Sequence, residues 1–195
     1  MTTSAATPTA TDSRRGGLLA VAAMVALMWV SEVVDLLPVD LDMLGIEPRS
    51  VEGLTGIPLA PFLHLGFGHL IGNTVPFLVL GTVIALSGLR RVLAVTAIVV
   101  VVGGLGTWLI GQEGSVHIGA SGVVFGYAAY LIARGLFDHR LHYLLIGLVV
   151  AFSYGLPLLL GLLPAPGISW QGHLFGAVGG VVAARTLARR RTPAA

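Results

Sequence analysis

The sequence predicts an all-α polytopic membrane protein, a bundle of six transmembrane helices. Three observations carry this. Only 10% of the 195 residues are charged while 55% are apolar, where about 25% charge is ordinary for a soluble domain. Mean hydropathy is +0.92. The apolar residues gather into six runs near 20 residues, the length of helix that crosses roughly 30 Å of hydrocarbon. This composition excludes a soluble globule, a disordered chain and a nucleic-acid binder with a basic face. A pI near 9.5 reflects a net charge of only +2. Without cysteine there are no disulfides, thiol nucleophiles or zinc–thiolate sites, and without lysine there is no Ser–Lys dyad.

The elements follow in order. Residues 1–15, rich in Thr, Ala, Ser and Pro, read as a flexible cytoplasmic tail. Span 1 covers 16–37. Ser13-Arg14-Arg15 before an apolar run resembles a twin-arginine signal, but no small-residue cleavage site follows between Glu32 and Pro38, so the helix is read as retained. Glu32 and Asp35 are placed at the outer interface. A loop at 38–63 carries Asp40, Asp42, Glu47, Arg49 and Glu52. Span 2 covers 69–89, span 3 92–111 and span 4 119–134. Arg134 closes span 4 early, which suits a helix surrounded by protein rather than lipid. Span 5 covers 142–163, where Gly155 and Pro157 predict a break. Span 6 covers 170–188, and 189–195 form a cytoplasmic tail. The membrane domain is thus 16–188, with no room for a soluble domain. Trp29, Trp108 and Trp170 lie near outer span ends, as interface anchors do.

Orientation follows from the arginines. Arg14, Arg15, Arg90, Arg91, Arg134, Arg140, Arg185, Arg189, Arg190 and Arg191 share one side if six spans alternate; only Arg49 lies opposite. The positive-inside rule then puts both termini in the cytoplasm.

Ionisable and polar groups inside spans are costly and mark function. Three groups stand out: His64, His69 and Asn73 at the start of span 2, Gly119-Ala120-Ser121-Gly122 at the start of span 4, and Gly172-His173 at the start of span 6. Spans 2, 4 and 6 all run inward, so the three groups meet just below the outer surface. His69 and Asn73, four apart, share a helix face and can both donate hydrogen bonds. Ser121 opens a helix after a glycine-rich turn, where free N–H groups favour developing negative charge. His173 is a candidate general base. Gly172, Gly176 and Gly180 on span 6 and Gly122 and Gly126 on span 4 recur every four residues, the spacing that lets two helix backbones approach closely. A serine, a base and convergent donors are the parts of acyl-transfer chemistry. Each has a plainer reading as helix packing or an interhelical tie; their agreement in depth and side favours a site.

The motifs H-x4-H-x3-N, G-x-S-G and G-H-x2-G-x3-G resemble those of the rhomboid family of intramembrane serine proteases, in order and span assignment. The resemblance covers roughly residues 16–188. It implies a catalytic Ser121–His173 dyad without an acidic third member, an oxyanion held by Asn73, His69 and the Ser121 N–H, and Phe125 packed on the imidazole. Gly119 permits the turn before the nucleophile, and His64 supports the site from the loop. The implied substrates are membrane proteins cut in or near their transmembrane segments, in a bacterial plasma membrane, with the active site near its outer face. No cofactor or metal is implied. Two departures stand out: Arg49 lacks the adjacent Trp common in the family, and Ala85 sits where an acid is expected. Both put the loop-anchoring contacts in question.

His117 reads as an outer loop residue four before Ser121, with a supporting role at the site as the alternative. His139 and His142 fall on the cytoplasmic side, so they share no metal with His173, and there is no His-Glu-x-x-His motif. Two other functions compete. A catalytically silent, client-binding rhomboid-like protein would be expected to lack the dyad. A solute channel would need polar groups along its path, yet the inner halves of spans 2, 4 and 6 are almost wholly apolar. Substrate identity, regulation and oligomeric state are not encoded in these patterns.

Overall fold

The computed structural model describes residues 10–188 and is all-helical. Seven α-helices follow in order among these residues: α1 (Ala10–Val34), α2 (Gly53–Leu59), α3 (Gly66–Ala85), α4 (Leu89–Ile110), α5 (Ser121–Asp138), α6 (Leu141–Gly161) and α7 (Trp170–Thr186). Short 3-10 turns occupy Leu41–Leu44 and Ala60–Phe62. The only extended pairing among the described residues is one antiparallel bridge between Ile46 and His117. Residues 10–15, assigned by sequence to the N-terminal tail, belong to α1. Residues 1–9 and 189–195, which hold the rest of both tails, lie outside the described residues.

Helices α1, α3, α4 and α6 are long and apolar enough to cross a membrane, and the protein is an integral membrane protein. Helices α5 and α7, at 18 and 17 residues, do not meet that standard on length and composition. They are instead more enclosed than those four. Helix α5 is buried along an unbroken run from Val123 to Ala128, and it contacts α3, α4, α6 and α7. In lipid, apolar contact does not by itself favour helix over lipid neighbours, so close packing decides association. The core is built accordingly, with Leu70, Phe77 and Leu80 of α3, Val92, Val95 and Val99 of α4, and Tyr127 and Tyr130 of α5 all shielded. The Tyr127 hydroxyl shares a hydrogen bond with Thr96 Oγ1 at 2.6 Å, which satisfies a polar group deep in that core.

Several expectations change. Helix α5 continues to Asp138, so Arg134 lies inside it rather than in a loop. Arg134 is buried, donates to Asp138 at 3.2 Å and Ser87 at 2.8 Å, and stacks over the Tyr143 ring. Capping sets the end: His139 adopts a left-handed conformation and its N–H returns to Gly135 O. Helix α6 runs unbroken through Gly155 and Pro157; a membrane helix tolerates proline where surrounding groups absorb the lost bond. Glu32, placed at the outer interface by sequence, is buried within the protein at 5% exposed. The Trp108 indole donates to Ser50 O at 2.7 Å.

The loop between α1 and α3 is firmly tied despite lacking a Trp beside Arg49. Arg49 donates to Glu113 at 2.9 Å and to the carbonyls of Leu109 and Gly111 at 3.1 and 2.8 Å. Those carbonyls end α4 and have no partners further along the helix, so a guanidinium completes them well. Ser31 Oγ also donates to Phe62 O, fastening the far end of the loop to α1.

Candidate active site

The site forms where three helix starts converge. Helix α5 begins at Ser121 immediately after a turn centred on Gly119, whose φ is +108°. A side chain is disfavoured there by conformation and by space, since a Cβ would lie 2.6 Å from His69 Cε1. The turn is held from two sides. Gly119 N donates to Ala60 O at 2.8 Å, and Ala120 N donates to His64 Nε2 at 3.3 Å. His64 is 1% exposed; burial, then the neighbouring His69, push its pKa down to about 4, so it stays the neutral acceptor this bond requires.

Helix α7 brings His173 to Ser121. Its glycines contact α5 backbone to backbone: a Cβ on Gly176 would lie 2.1 Å from Gly122 O, and one on Gly180 would lie 2.0 Å from Gly126 O. Gly122 in turn faces the Gly172 carbonyl. Helix α4 closes the other side of α7, with Gly103 opposite Gly176. With no side chains between the axes, Ser121 Oγ and His173 Nε2 come to 2.8 Å.

The other imidazole nitrogen is held too. His173 Nδ1 lies 2.7 Å from Gly161 O, at the end of α6. A carbonyl only accepts, so Nδ1 carries the proton and Nε2 presents its lone pair to the serine hydroxyl. The Phe125 ring stacks on the imidazole with centroids 4.1 Å apart and planes 8° from parallel. Ring orientation is therefore set by a stack and two hydrogen bonds.

His69 and Asn73 stand on the first turns of α3. Leu65 N donates to His69 Nδ1 at 3.4 Å, which leaves the His69 proton on Nε2, on the side of the Gly119 turn. Asn73 Nδ2 donates to His69 O at 3.0 Å and keeps a second N–H. The N–H groups of the first turn of α5 have no carbonyl within their own helix. A cavity of about 50 Å³ beside Ser121 is lined by Gly103, Thr107, His117, Gly119, Ser169 and Gly172 among others.

The structure thus brings together His64, His69, Gly119, Ser121, Phe125 and His173, with Gly122, Gly126, Gly172, Gly176 and Gly180 at the helix contact. The sequence reading missed Gly161, because its role lies in a backbone carbonyl. It also missed Ser169, the N-cap of α7, whose side chain accepts from Gly172 N. A serine three residues before Gly172, just ahead of a helix, is a readable cap signal. His117 is more than a loop residue: its ring reaches Ser169 Oγ at 2.7 Å.

Known proteins are similar to this chain in sequence. A family model described as Rhomboid domain matches residues 52–190. An uncharacterized protein of Mycobacterium tuberculosis is 47% identical over 195 aligned residues, covering 93% of this chain and 81% of the relative. One from Mycobacterium leprae is 46% identical over 181 residues, covering 88% and 71%. A Bacillus subtilis protein named rhomboid protease YdcA is 32% identical over 123 residues, covering 60% and 59%.

Proposed function

The chain belongs to the rhomboid family, and from that premise we propose that it is an intramembrane serine endopeptidase that cuts membrane proteins in or near their transmembrane segments. The observation that carries this reading is the 2.8 Å contact between Ser121 Oγ and a His173 Nε2 whose opposite nitrogen is held by a carbonyl. Ser121 Oγ attacks the scissile carbonyl carbon while Nε2 takes its proton. The same proton then goes to the leaving amine, the C–N bond breaks, and an acyl-serine remains. Water, deprotonated by Nε2, hydrolyses the ester and restores the serine. The oxyanion of each tetrahedral intermediate is met by the second Asn73 N–H, the His69 Nε2–H and the Ser121 backbone N–H. Gly161 O orients the imidazole but brings no full negative charge, so the imidazolium is less stabilised than beside a carboxylate.

In this reading α5 and α7 also cross the bilayer, shielded by α3, α4 and α6, which gives six spans. Ten of eleven arginines then lie on the cytoplasmic side of the plasma membrane, with both termini, and Ser121 lies near the outer face. The partners are transmembrane protein substrates and the lipid bilayer.

The test is cleavage of a panel of single-span proteins by the reconstituted protein, with products identified by mass spectrometry. Ser121→Ala and His173→Ala are each expected to lose cleavage while remaining folded. Equal cleavage by either variant contradicts the proposal.

A further inference from the structure

Outside the Ser121–His173 contact, the most constrained side chain near the site is that of His117. Its backbone exchanges both hydrogen bonds with Ile46, each at 2.9 Å, which fastens it to the loop after α1. Both ring nitrogens are engaged: Nε2 lies 3.0 Å from Ser115 Oγ and Nδ1 lies 2.7 Å from Ser169 Oγ.

The direction of each bond follows from the neighbours. Ser115 Oγ donates its own proton to Gln112 O at 2.5 Å. Toward His117 it therefore accepts, and His117 Nε2 carries the ring proton. Burial lowers the His117 pKa below the ordinary histidine value, so the ring is neutral and Nδ1 is a lone pair. Ser169 must then donate its hydroxyl proton to Nδ1. That turns the Ser169 lone pairs toward Gly172 N, which donates to Oγ at 3.3 Å. The Ser169 carbonyl, on the same residue, accepts from His173 N at 3.1 Å. Ser169 is thus the N-cap of α7 in both side chain and backbone, and His173 stands in the first turn that it closes.

We propose that His117 is a positioning residue: it locks the Ser169 hydroxyl as the cap of α7 and thereby holds His173 against Ser121. The inference rests on the proteolytic reading of that dyad. His117 and Ser169 also line the cavity beside Ser121, so a direct substrate contact is the competing role, and the two roles separate in kinetics. A displaced base lowers kcat, whereas a lost substrate contact raises KM.

The experiment compares His117→Phe, Ser169→Ala, the double variant and Ser169→Thr in the full-length reconstituted protein. Phenylalanine keeps the bulk of the ring, and threonine keeps the hydroxyl. His117→Phe and Ser169→Ala are each expected to lower kcat about 10- to 100-fold at unchanged KM, the size that a small misplacement of a catalytic group produces. The double variant is expected to be no slower than Ser169→Ala, and Ser169→Thr to recover most of the rate. Multiplying effects in the double variant, a KM effect with kcat intact, or no recovery by threonine would overturn the proposal. If the wild type shows no cleavage beyond Ser121→Ala, the proteolytic reading itself fails. The positioning claim is then read from the 15N shifts of the His173 ring. These are expected to change in His117→Phe, and unchanged shifts overturn it.

Discussion

Helices α7 and α6 both reach the His173 imidazole, yet they hold it differently. Helix α7 lies between α5 and α4 with glycine backbones in contact, and Gly176, Gly179, Gly180, Ala183 and Ala184 are buried. Helix α6 packs mainly on α5, buries only Gly147 and Val150, and leaves Phe152 91% exposed. Even so, its last residue supplies the carbonyl on His173 Nδ1. The tight side fixes the distance from His173 to Ser121, and the loose side fixes which His173 nitrogen carries the proton. Catalytic geometry in this account depends on both.

Breaking the tight side has the largest expected effect. Gly176→Ala places a Cβ 2.1 Å from Gly122 O, against backbone that cannot rotate away. Overpacking of that kind costs about 1–3 kcal/mol or more. Loss of cleavage, with a lowered thermal midpoint in detergent, is the expected result. Gly161→Ala tests the loose side. Its Cβ would lie 2.5 Å from Phe125 Cζ and 3.2 Å from His173 Nδ1, so the stack and the carbonyl bond are disturbed together. Stability is expected to hold because α6 can shift outward, while kcat falls about 10-fold, a barrier change of about 1.4 kcal/mol.

Acid acts on the side of the site that holds Ser121. His64 has a folded-state pKa near 4 against an ordinary 6.5, so the unfolded chain binds the proton more readily. The neutral ring's contribution is complete above pH 6.5 and is lost as the pH falls toward 4. The stability advantage of the wild type over His64→Gln, read by thermal unfolding, is expected to shrink across that window. Asp42 runs the opposite way: burial, then Asp35, Glu32 and Asp40, push it up to about 6. Present in both proteins, it cancels in the difference. The smallest effect is expected at Gly155→Ala, where a Cβ meets nothing within 4 Å. Activity should be unchanged, and stability should rise by about 0.5–1 kcal/mol through helix propensity.

Much of the site was legible because polar groups are so scarce in this chain. His69, Asn73, Ser121 and His173 stood out against apolar spans, and glycines at intervals of four located the contact that unites α5 with α7. The unreadable parts have a common cause. Gly161 acts through a carbonyl, and every residue has one. The burial of Glu32 comes from tertiary packing, which hydropathy along one helix does not register. Arg134 looked like the end of a span because its charge was counted without Asp138, Ser87 and Tyr143, which surround it inside α5. Arg49 looked insufficient to anchor its loop because its acceptors, Glu113 and two helix-end carbonyls, lie some 60 residues away.

In the proposed mechanism His173 makes Ser121 a nucleophile. Labelling with a serine-directed fluorophosphonate, mapped to the modified residue by mass spectrometry, tests it without knowledge of any substrate. The wild type is expected to label at Ser121, and folded His173→Ala protein to remain unlabelled. Equal labelling of Ser121 in the His173→Ala protein, or modification of some other serine in the wild type, would contradict the account.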